Sequence, residues 1–261
     1  MDNTKLYWKY VGMNIKSQLE YKASFILNFI NQFILFFTYY FTVISLFTRF
    51  KVLEEYTMYE VLLIFSIFQI AFSINEVFAR GIDDFHKLII KGGLDRLLTR
   101  PRPIILQALG FDFALAKLAK LLQAIILFII AIIKLNIVFT IDKVLCILFM
   151  IIGATVLFFS IFLIGAAFTF ITIQGLEFIN VFTYGGREMS QYPINIYHKF
   201  FRIFFTYVLP FGLINYYPLL YIIGKNNNPL FVVLPLIPII HLIIAIYIFN
   251  KALEKYTSTG S

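Results

Sequence analysis

The residue types that build catalytic centres are sparse in this chain and do not cluster. The three histidines are far apart in the sequence and lack the spacing of metal ligands. The only Gly-Lys pair, Gly224-Lys225, has Leu219 where a nucleotide-binding phosphate loop requires its first glycine. Neither an H-E-x-x-H nor a G-x-S-x-G motif occurs. The sequence therefore predicts no metal site and no enzyme activity, and it predicts that the chain does not hydrolyse ATP unaided.

Charged residues within apolar segments are the more informative candidates. Of the 261 residues, 61% are hydrophobic and only 14% are charged. This composition is typical of a membrane protein. A charged side chain within the bilayer costs free energy, so each such residue is a candidate functional residue. Glu76 and Arg80 end one apolar segment with the i,i+4 spacing of a helical ion pair. Glu177, Arg187 and Glu188 lie in another. We predict that these charges line a pathway or a subunit interface; alternatively, Arg187 and Glu188 satisfy each other.

The apolar segments are long enough to be helices that cross a bilayer, whose hydrocarbon core of about 30 Å requires about 20 residues. Five are clear, at residues 25–47, 58–79, 105–133, 144–173 and 230–250. A further span lies between residues 174 and 228, which makes six. The sequence thus predicts an all-α polytopic membrane protein with one transmembrane domain over residues 23–250.

The position of the fifth span is ambiguous. Hydropathy favours residues 203–223, but two prolines, Pro210 and Pro218, interrupt that stretch, and irregular backbone is not tolerated against lipid. The alternative is residues 174–192, which are apolar but contain three charged residues. Whichever stretch crosses the bilayer, the other is predicted to be re-entrant, interfacial or buried in protein.

Six spans place both termini on one side of the membrane. With the termini inside, residues 1–22, 80–103 and 251–261 contain twelve Lys and Arg, against five in the loops 48–57, 134–143 and 224–229. Because basic residues concentrate in cytoplasmic segments, we predict that both termini and residues 80–103 are cytoplasmic. This bias accounts for the net charge of +8 without a nucleic acid partner.

Residues 1–22 are predicted to form an amphipathic helix in the membrane interface rather than a signal peptide. At 100° per residue, Lys5, Lys9 and Lys16 share one face within about 40°. Trp8 belongs to a second, apolar stripe. A basic face beside an apolar face with a tryptophan is typical of a helix that lies on a bilayer, so we expect membrane lipids to contact it.

Residues 80–103 form the longest charged stretch of the chain. Ile82, Phe85 and Ile89 recur in it at helical spacing, and Gly92-Gly93 ends that stripe. The charges that flank the stripe are Asp83, Asp84, Asp95, Arg96 and Arg100. This stretch is therefore the main candidate for a contact outside the membrane.

Two stretches of the sequence resemble a known family. Residues 90–101 read IKGGLDRLLTRP and residues 187–197 read REMSQYPINIY. They are similar to the G-x-LD-x-LL-x-RP and RE-x-S-x-YP-x-x-IY stretches of an uncharacterised bacterial branch of the type-2 permeases of ATP-binding-cassette (ABC) exporters. The similarity covers nearly the whole chain. It implies the type-2 ABC exporter permease fold, with residues 174–192 as the fifth span and short re-entrant or external helices at about 193–223.

The resemblance also implies partners and a function. The chain would be a permease subunit in a bacterial plasma membrane, exporting a hydrophobic or amphipathic cargo such as a peptide, lipid or drug. Two permeases, identical or paralogous, pair in this family with two ABC ATPase subunits, which bind the ATP and Mg that the permease lacks. Residues 80–103 would be the ATPase-coupling segment, in which Ile82, Phe85 and Ile89 fill a groove of the ATPase and the charges fix its orientation.

Two other classes of protein remain open at this point. A gradient-driven transporter acting without an ATPase would contain an internal inverted repeat, and no convincing similarity relates residues 1–130 to 131–261. A non-transport membrane scaffold or an immunity protein could share the sequence pattern. An ATPase encoded beside this chain would favour the permease.

Overall fold

The computed structural model describes residues 3–49, 55–172 and 179–256, and the regular structure within these ranges is helical. In chain order the helices are α1 (Asn3–Glu20), α2 (Lys22–Arg49), α3 (Met58–Phe78), α4 (Arg80–Asp83), α5 (Phe85–Ile90), α6 (Gly93–Leu98), α7 (Ile104–Leu109), α8 (Leu118–Leu135), α9 (Ile141–Phe168), α10 (Gly186–Ser190), α11 (Lys199–Ile203), α12 (Phe211–Ile222), α13 (Leu230–Val233) and α14 (Pro238–Glu254). Five helical stretches are long and apolar enough to cross a membrane, and one bent pair would make six. The prediction of an all-α polytopic membrane protein is confirmed.

Helix α3 lies at the centre of the bundle and packs against both α8 and α9. Most of its residues are buried on every side, as expected of a helix that is apolar all round. Phe68 and Phe72 contact Phe158 of α9 edge-to-face, with ring centroids 6.2 and 5.0 Å apart. Helix α2 differs, because it packs along α8 while most of its remaining surface is exposed.

The third span is shorter than predicted. Residues 105–133 were expected to form one helix, but the structure has α7 and α8 with an irregular stretch between them. There the backbone N–H of Ala114 donates to the carbonyl of Val77, at 3.4 Å, and Phe113 is buried against Val77. The stretch therefore bonds to the end of α3 instead of continuing a helix, and periodicity within the segment does not reveal this.

The interrupted stretch at residues 203–223 is broken, as its prolines predict. Helix α11 with the π turn that follows it, Phe204–Val208, makes an angle of 97° with α12. Beyond the end of α12, Lys225 donates to the carbonyl of Glu55 at 2.6 Å, close to the start of α3. The α12 residue Tyr221 donates to Asp142, in the first turn of α9, at 3.2 Å. Both contacts lie at the end of the bundle predicted to face outward.

The alternative fifth span is described only in part. Residues 179–190 are helical through a π turn, Val181–Gly185, and α10. Residues 173–178, which include the predicted site residue Glu177, lie outside the described residues. Asn215 of α12 donates to the carbonyl of Ser190, so the broken pair packs against the end of this segment. Its crossing of the membrane stays a prediction.

The sixth span is kinked at its prolines, as predicted, with a 3-10 turn at Leu234–Leu236 between α13 and α14. The kink packs directly on α9, because a Cβ added at Gly153 would lie 1.9 Å from the carbonyl oxygen of Pro235. Only glycine allows the two backbones to approach this closely.

Gly153→Ala is therefore expected to destabilise the bundle by about 1–3 kcal/mol, because α9 and the kink must separate. The measurement is the midpoint of thermal unfolding in detergent micelles. Gly12→Ala is the matched control: nothing lies within 4 Å of its added methyl group, and alanine favours a helix by roughly 0.5–1 kcal/mol over glycine. A Gly153→Ala midpoint at or above that of the unsubstituted chain would contradict this packing.

Candidate functional site

The predicted coupling segment is a compact group of three short helices, α4, α5 and α6. Gly92 separates α5 from α6 with a φ of 62°, a left-handed conformation that glycine adopts readily. The predicted break at Gly92-Gly93 is thus confirmed.

The apolar stripe of this segment faces inward. Ile82 and Phe85 are fully buried and Ile89 is 2% exposed. The ring of Phe85 lies 5.5 Å from those of Phe170, just beyond α9, and Phe249 in α14. Phe85 thus holds the segment against the ends of two predicted spans. Because Ile82, Phe85 and Ile89 are all buried in the core of their own chain, they are not available to fill a partner's groove as expected from the sequence. The periodicity of the sequence identified this stripe correctly, but it did not show that the stripe packs against the same chain rather than against a partner.

The outward surface of the segment is basic. Its exposed side chains are Lys87, Ile90, Lys91, Arg96, Leu98, Thr99 and Arg100. Arg100 also donates to the hydroxyl of Tyr10 in α1 at 3.2 Å, and Asp95 is half-buried. This set, which we call the basic surface, replaces the buried stripe as the part of residues 80–103 that can contact another protein.

Arg80 joins the segment to the fifth-span region. Its guanidinium contacts the carboxylates of Asp83 at 2.6 Å and Asp84 at 2.9 Å, and it lies close enough to the side chain of Tyr184 to interact with it electrostatically. Burial raises the pKa of Asp83 to about 6, although the positive charge of Arg80 opposes this shift. The predicted Arg80–Glu76 pair does not form, because α3 ends at Phe78 and the helical spacing is lost.

Glu76 instead joins α3 to α8. Its side chain is 1% exposed and lies 3.0 Å from the ammonium groups of both Lys117 and Lys120. Sequence analysis did not identify Lys117 and Lys120 as partners of Glu76, since both are more than forty positions away from it. The only signal in the sequence was that Lys117 and Lys120 are three positions apart near the end of a predicted span, and so share one helix face.

Arg187 and Glu188 pair with each other, which is one of the two predicted alternatives. Arg187 is 5% exposed and its guanidinium hydrogen-bonds Glu188. It also lies over the rings of Phe72, at 5.0 Å from the centroid, and Tyr184, at 5.8 Å, a favourable cation–π geometry. The side chain of Glu188 is 44% exposed. Whether the pair lines a pathway stays a prediction.

Together these contacts form a continuous polar network. Asp83 and Asp84 form ion pairs with Arg80, Arg80 lies within electrostatic range of Tyr184, and the ring of Tyr184 contacts Arg187. The network runs from the coupling segment to the charges predicted to lie at membrane depth. It brings four residues that the sequence singled out, Arg80, Asp83, Asp84 and Arg187, together with Tyr184, which the sequence did not single out.

Helix α1 is held by a polar face that sequence analysis overlooked. Tyr7 donates to the carbonyl of Phe78 at 3.1 Å, Asn14 donates to the carbonyl of Gly110 at 3.1 Å, and the side-chain oxygen of Gln18 accepts from the backbone of Leu115. The spacing of these three residues already indicates one helix face. The predicted interfacial residues Lys5, Trp8, Lys9 and Lys16 are all exposed. Their contact with lipid stays a prediction.

Comparison with protein-family models matches residues 33–260 to a family described as "ABC-2 family transporter protein". No curated protein and no solved structure gives a significant match. The match covers the coupling segment, the later predicted spans and the first span from residue 33 onward, but not helix α1.

Proposed function

Because the chain belongs to the ABC-2 family of transporter proteins, we propose that it is the permease subunit of an ATP-driven exporter. It is a multi-pass membrane component of an ABC transporter. The finer proposal is that it forms the path for a hydrophobic or amphipathic cargo and takes its energy from a separate ATPase subunit carrying ATP and Mg. The proposed location is a bacterial plasma membrane, with both termini in the cytoplasm.

The observation that carries this proposal is the way the coupling segment is attached. A cytosolic element transmits motion only if it is rigidly joined to the spans. The burial of Phe85 between Phe170 and Phe249 provides one attachment, and the network from Asp83 through Arg80 to Arg187 provides another. The basic surface is then free for an ATPase whose docking cleft is acidic.

A second permease subunit is supported by a face of α2 that the described residues leave exposed. Its polar residues Ser24, Asn28, Asn31, Thr38 and Thr42 are exposed and lie within about 80° of one another around the helix. Polar side chains within a span face protein or water rather than lipid. We therefore place this face toward a second permease subunit or the path between the two, in an assembly of two permeases and two ATPases.

The proposal is tested by co-expressing this chain with the products of its neighbouring genes, among which we expect an ABC ATPase. The ATPase is expected to copurify, and amphipathic cargo is expected to stimulate ATP hydrolysis. The gradient-driven alternative predicts the opposite result: transport by the purified chain alone in liposomes under an ion gradient, with no ATPase bound. A scaffold or immunity protein would show neither activity.

The proposed topology is tested with single cysteines in a Cys146→Ser background. Cysteines at Val138 and Asn227 are expected to react with a membrane-impermeant thiol reagent on intact cells, whereas one at Lys91 is expected to react only after the cells are opened. All three positions are exposed, so burial cannot mask a reactive thiol. Labelling at position 91 from outside would overturn the topology.

A further inference from the structure

The broken helix pair encloses an open cleft at the end of the bundle predicted to face outward. Helix α11 with its π turn forms one wall, and α12 with the start of α13 forms the other. The cleft has room for about 470 Å³, and its polar lining includes Arg202, Thr206, Tyr217 and Asn226. We call it the outer cleft. It has no part in the contacts that hold the coupling segment.

The outer cleft is positive and rich in hydrogen-bond donors. No Asp or Glu lines it, and Arg202 is exposed and makes no ion pair with any carboxylate in the described ranges. The nearby cation Lys225 is already engaged, because it bonds the carbonyl of Glu55 and lies 3.8 Å from Glu60. Among the described residues, this exposed arginine, on the side where basic residues are few, therefore has no carboxylate partner.

An aromatic wall stands beside this arginine. The ring of Tyr217 lies 5.2 Å from that of Tyr216 and 5.3 Å from that of Phe231. On the neighbouring helix, Phe200 and Phe201 are 67% and 48% exposed. Aromatic side chains concentrate at the boundary between headgroups and hydrocarbon. The cleft therefore places the charge of Arg202 beside aromatic side chains, at the predicted depth of the outer headgroups.

From these features we propose that the outer cleft binds an amphipathic molecule with an anionic headgroup, a carboxylate or a phosphate. The guanidinium of Arg202 matches such a group with two parallel N–H bonds, and the Tyr217 and Asn226 side chains supply further donors. The apolar part lies along the aromatic wall and the exposed face of α11. The defining chemistry of this ligand is an anionic headgroup joined to an apolar tail.

Binding is tested on the purified full chain in detergent micelles, independently of any ATPase. Radiolabelled lysophosphatidylglycerol, an anionic amphiphile, is expected to bind saturably. Lysophosphatidylcholine, which has no net charge, is expected to compete at least tenfold less well, and glycerol phosphate, which has no tail, is expected not to compete. Equal competition by lysophosphatidylcholine would overturn the role of charge, and equal competition by glycerol phosphate would overturn the role of the tail.

Two variants connect this binding to the cleft. Arg202→Gln is expected to weaken lysophosphatidylglycerol binding about tenfold, the effect of losing one charge-assisted contact. Tyr217→Ala is expected to weaken it through loss of the aromatic wall. Lys199→Gln is the matched control, since Lys199 lies on the same helix but does not line the cleft, and it should bind as the unsubstituted chain does. Unchanged binding by a folded Arg202→Gln variant would refute the proposal.

Discussion

Replacing Glu76 by alanine is expected to cost about 3–5 kcal/mol of folding free energy and to leave little folded protein in the membrane. The change leaves Lys117 and Lys120, whose side chains are only 21% and 13% exposed, without the buried carboxylate that both now contact at 3.0 Å. Breaking a buried ion pair from one side is strongly destabilising because the remaining charge is uncompensated. The measurement is the fraction of chain that elutes as a monodisperse species after extraction, together with its unfolding midpoint.

Two controls separate this effect from a general sensitivity to lost carboxylates. Glu254→Ala removes an exposed carboxylate that contacts Lys251 at 2.9 Å, and such surface pairs contribute about 1 kcal/mol or less. The triple variant Glu76→Leu, Lys117→Met, Lys120→Met removes all three charges together and is expected to recover most of the loss. If Glu76→Ala alone is as stable as Glu254→Ala, the buried cluster does not hold α3 to α8.

The sequence predicted local features well and distant pairings poorly. Helix α3, the break at Gly92 and the bent stretch around Pro210 all follow from neighbouring residues, through apolar length and the constraints of glycine and proline. The partner of Glu76 does not. The sequence favoured Arg80 because it is one turn away, whereas the actual partners are separated from Glu76 by the whole coupling segment. Only the packing of α3 against α8 reveals them.

The coupling segment also shows that the sequence predicts a local pattern but not its distant contacts. Periodicity identified Ile82, Phe85 and Ile89 as one helical stripe, and that stripe exists. An apolar stripe can pack either in the core of its own chain or in the groove of a partner, because both environments are apolar. The pattern alone therefore does not show which of the two covers it. The rings that cover Phe85 come from residues 170 and 249, far along the sequence, so the structure was needed to assign the stripe to the core.

Phe85→Ala is accordingly expected to act on stability first. Truncating a fully buried phenylalanine typically costs about 3–5 kcal/mol, and here it also removes the ring contacts with Phe170 and Phe249. We expect a lower unfolding midpoint and poor recovery of folded chain. Loss of the ATPase would follow because the segment is no longer held in place.

The basic surface is expected to show the reverse pattern. Lys91→Glu combined with Arg96→Glu changes two exposed residues, so the unfolding midpoint should remain within experimental error. If these side chains meet acidic groups of the ATPase, charge reversal places like charges together at the interface, which costs several kcal/mol. Recovery of the ATPase in copurification is expected to fall at least tenfold. Lys134→Glu is the matched control, because Lys134 is an exposed lysine in the last turn of α8, at the end predicted to face outward.

The unfolding midpoint and the recovery of the ATPase together distinguish a side chain that contacts the ATPase from one that only holds the segment in place. A Phe85→Ala variant with an unchanged unfolding midpoint that nevertheless loses the ATPase would mean that this ring leaves the core and contacts the partner directly. A Lys91→Glu, Arg96→Glu variant that retains the ATPase in full would remove the basic surface from the interface. The arrangement of burial and charge in the coupling segment predicts neither result, because the side chains that hold the segment in place and those that face outward lie on opposite sides of it.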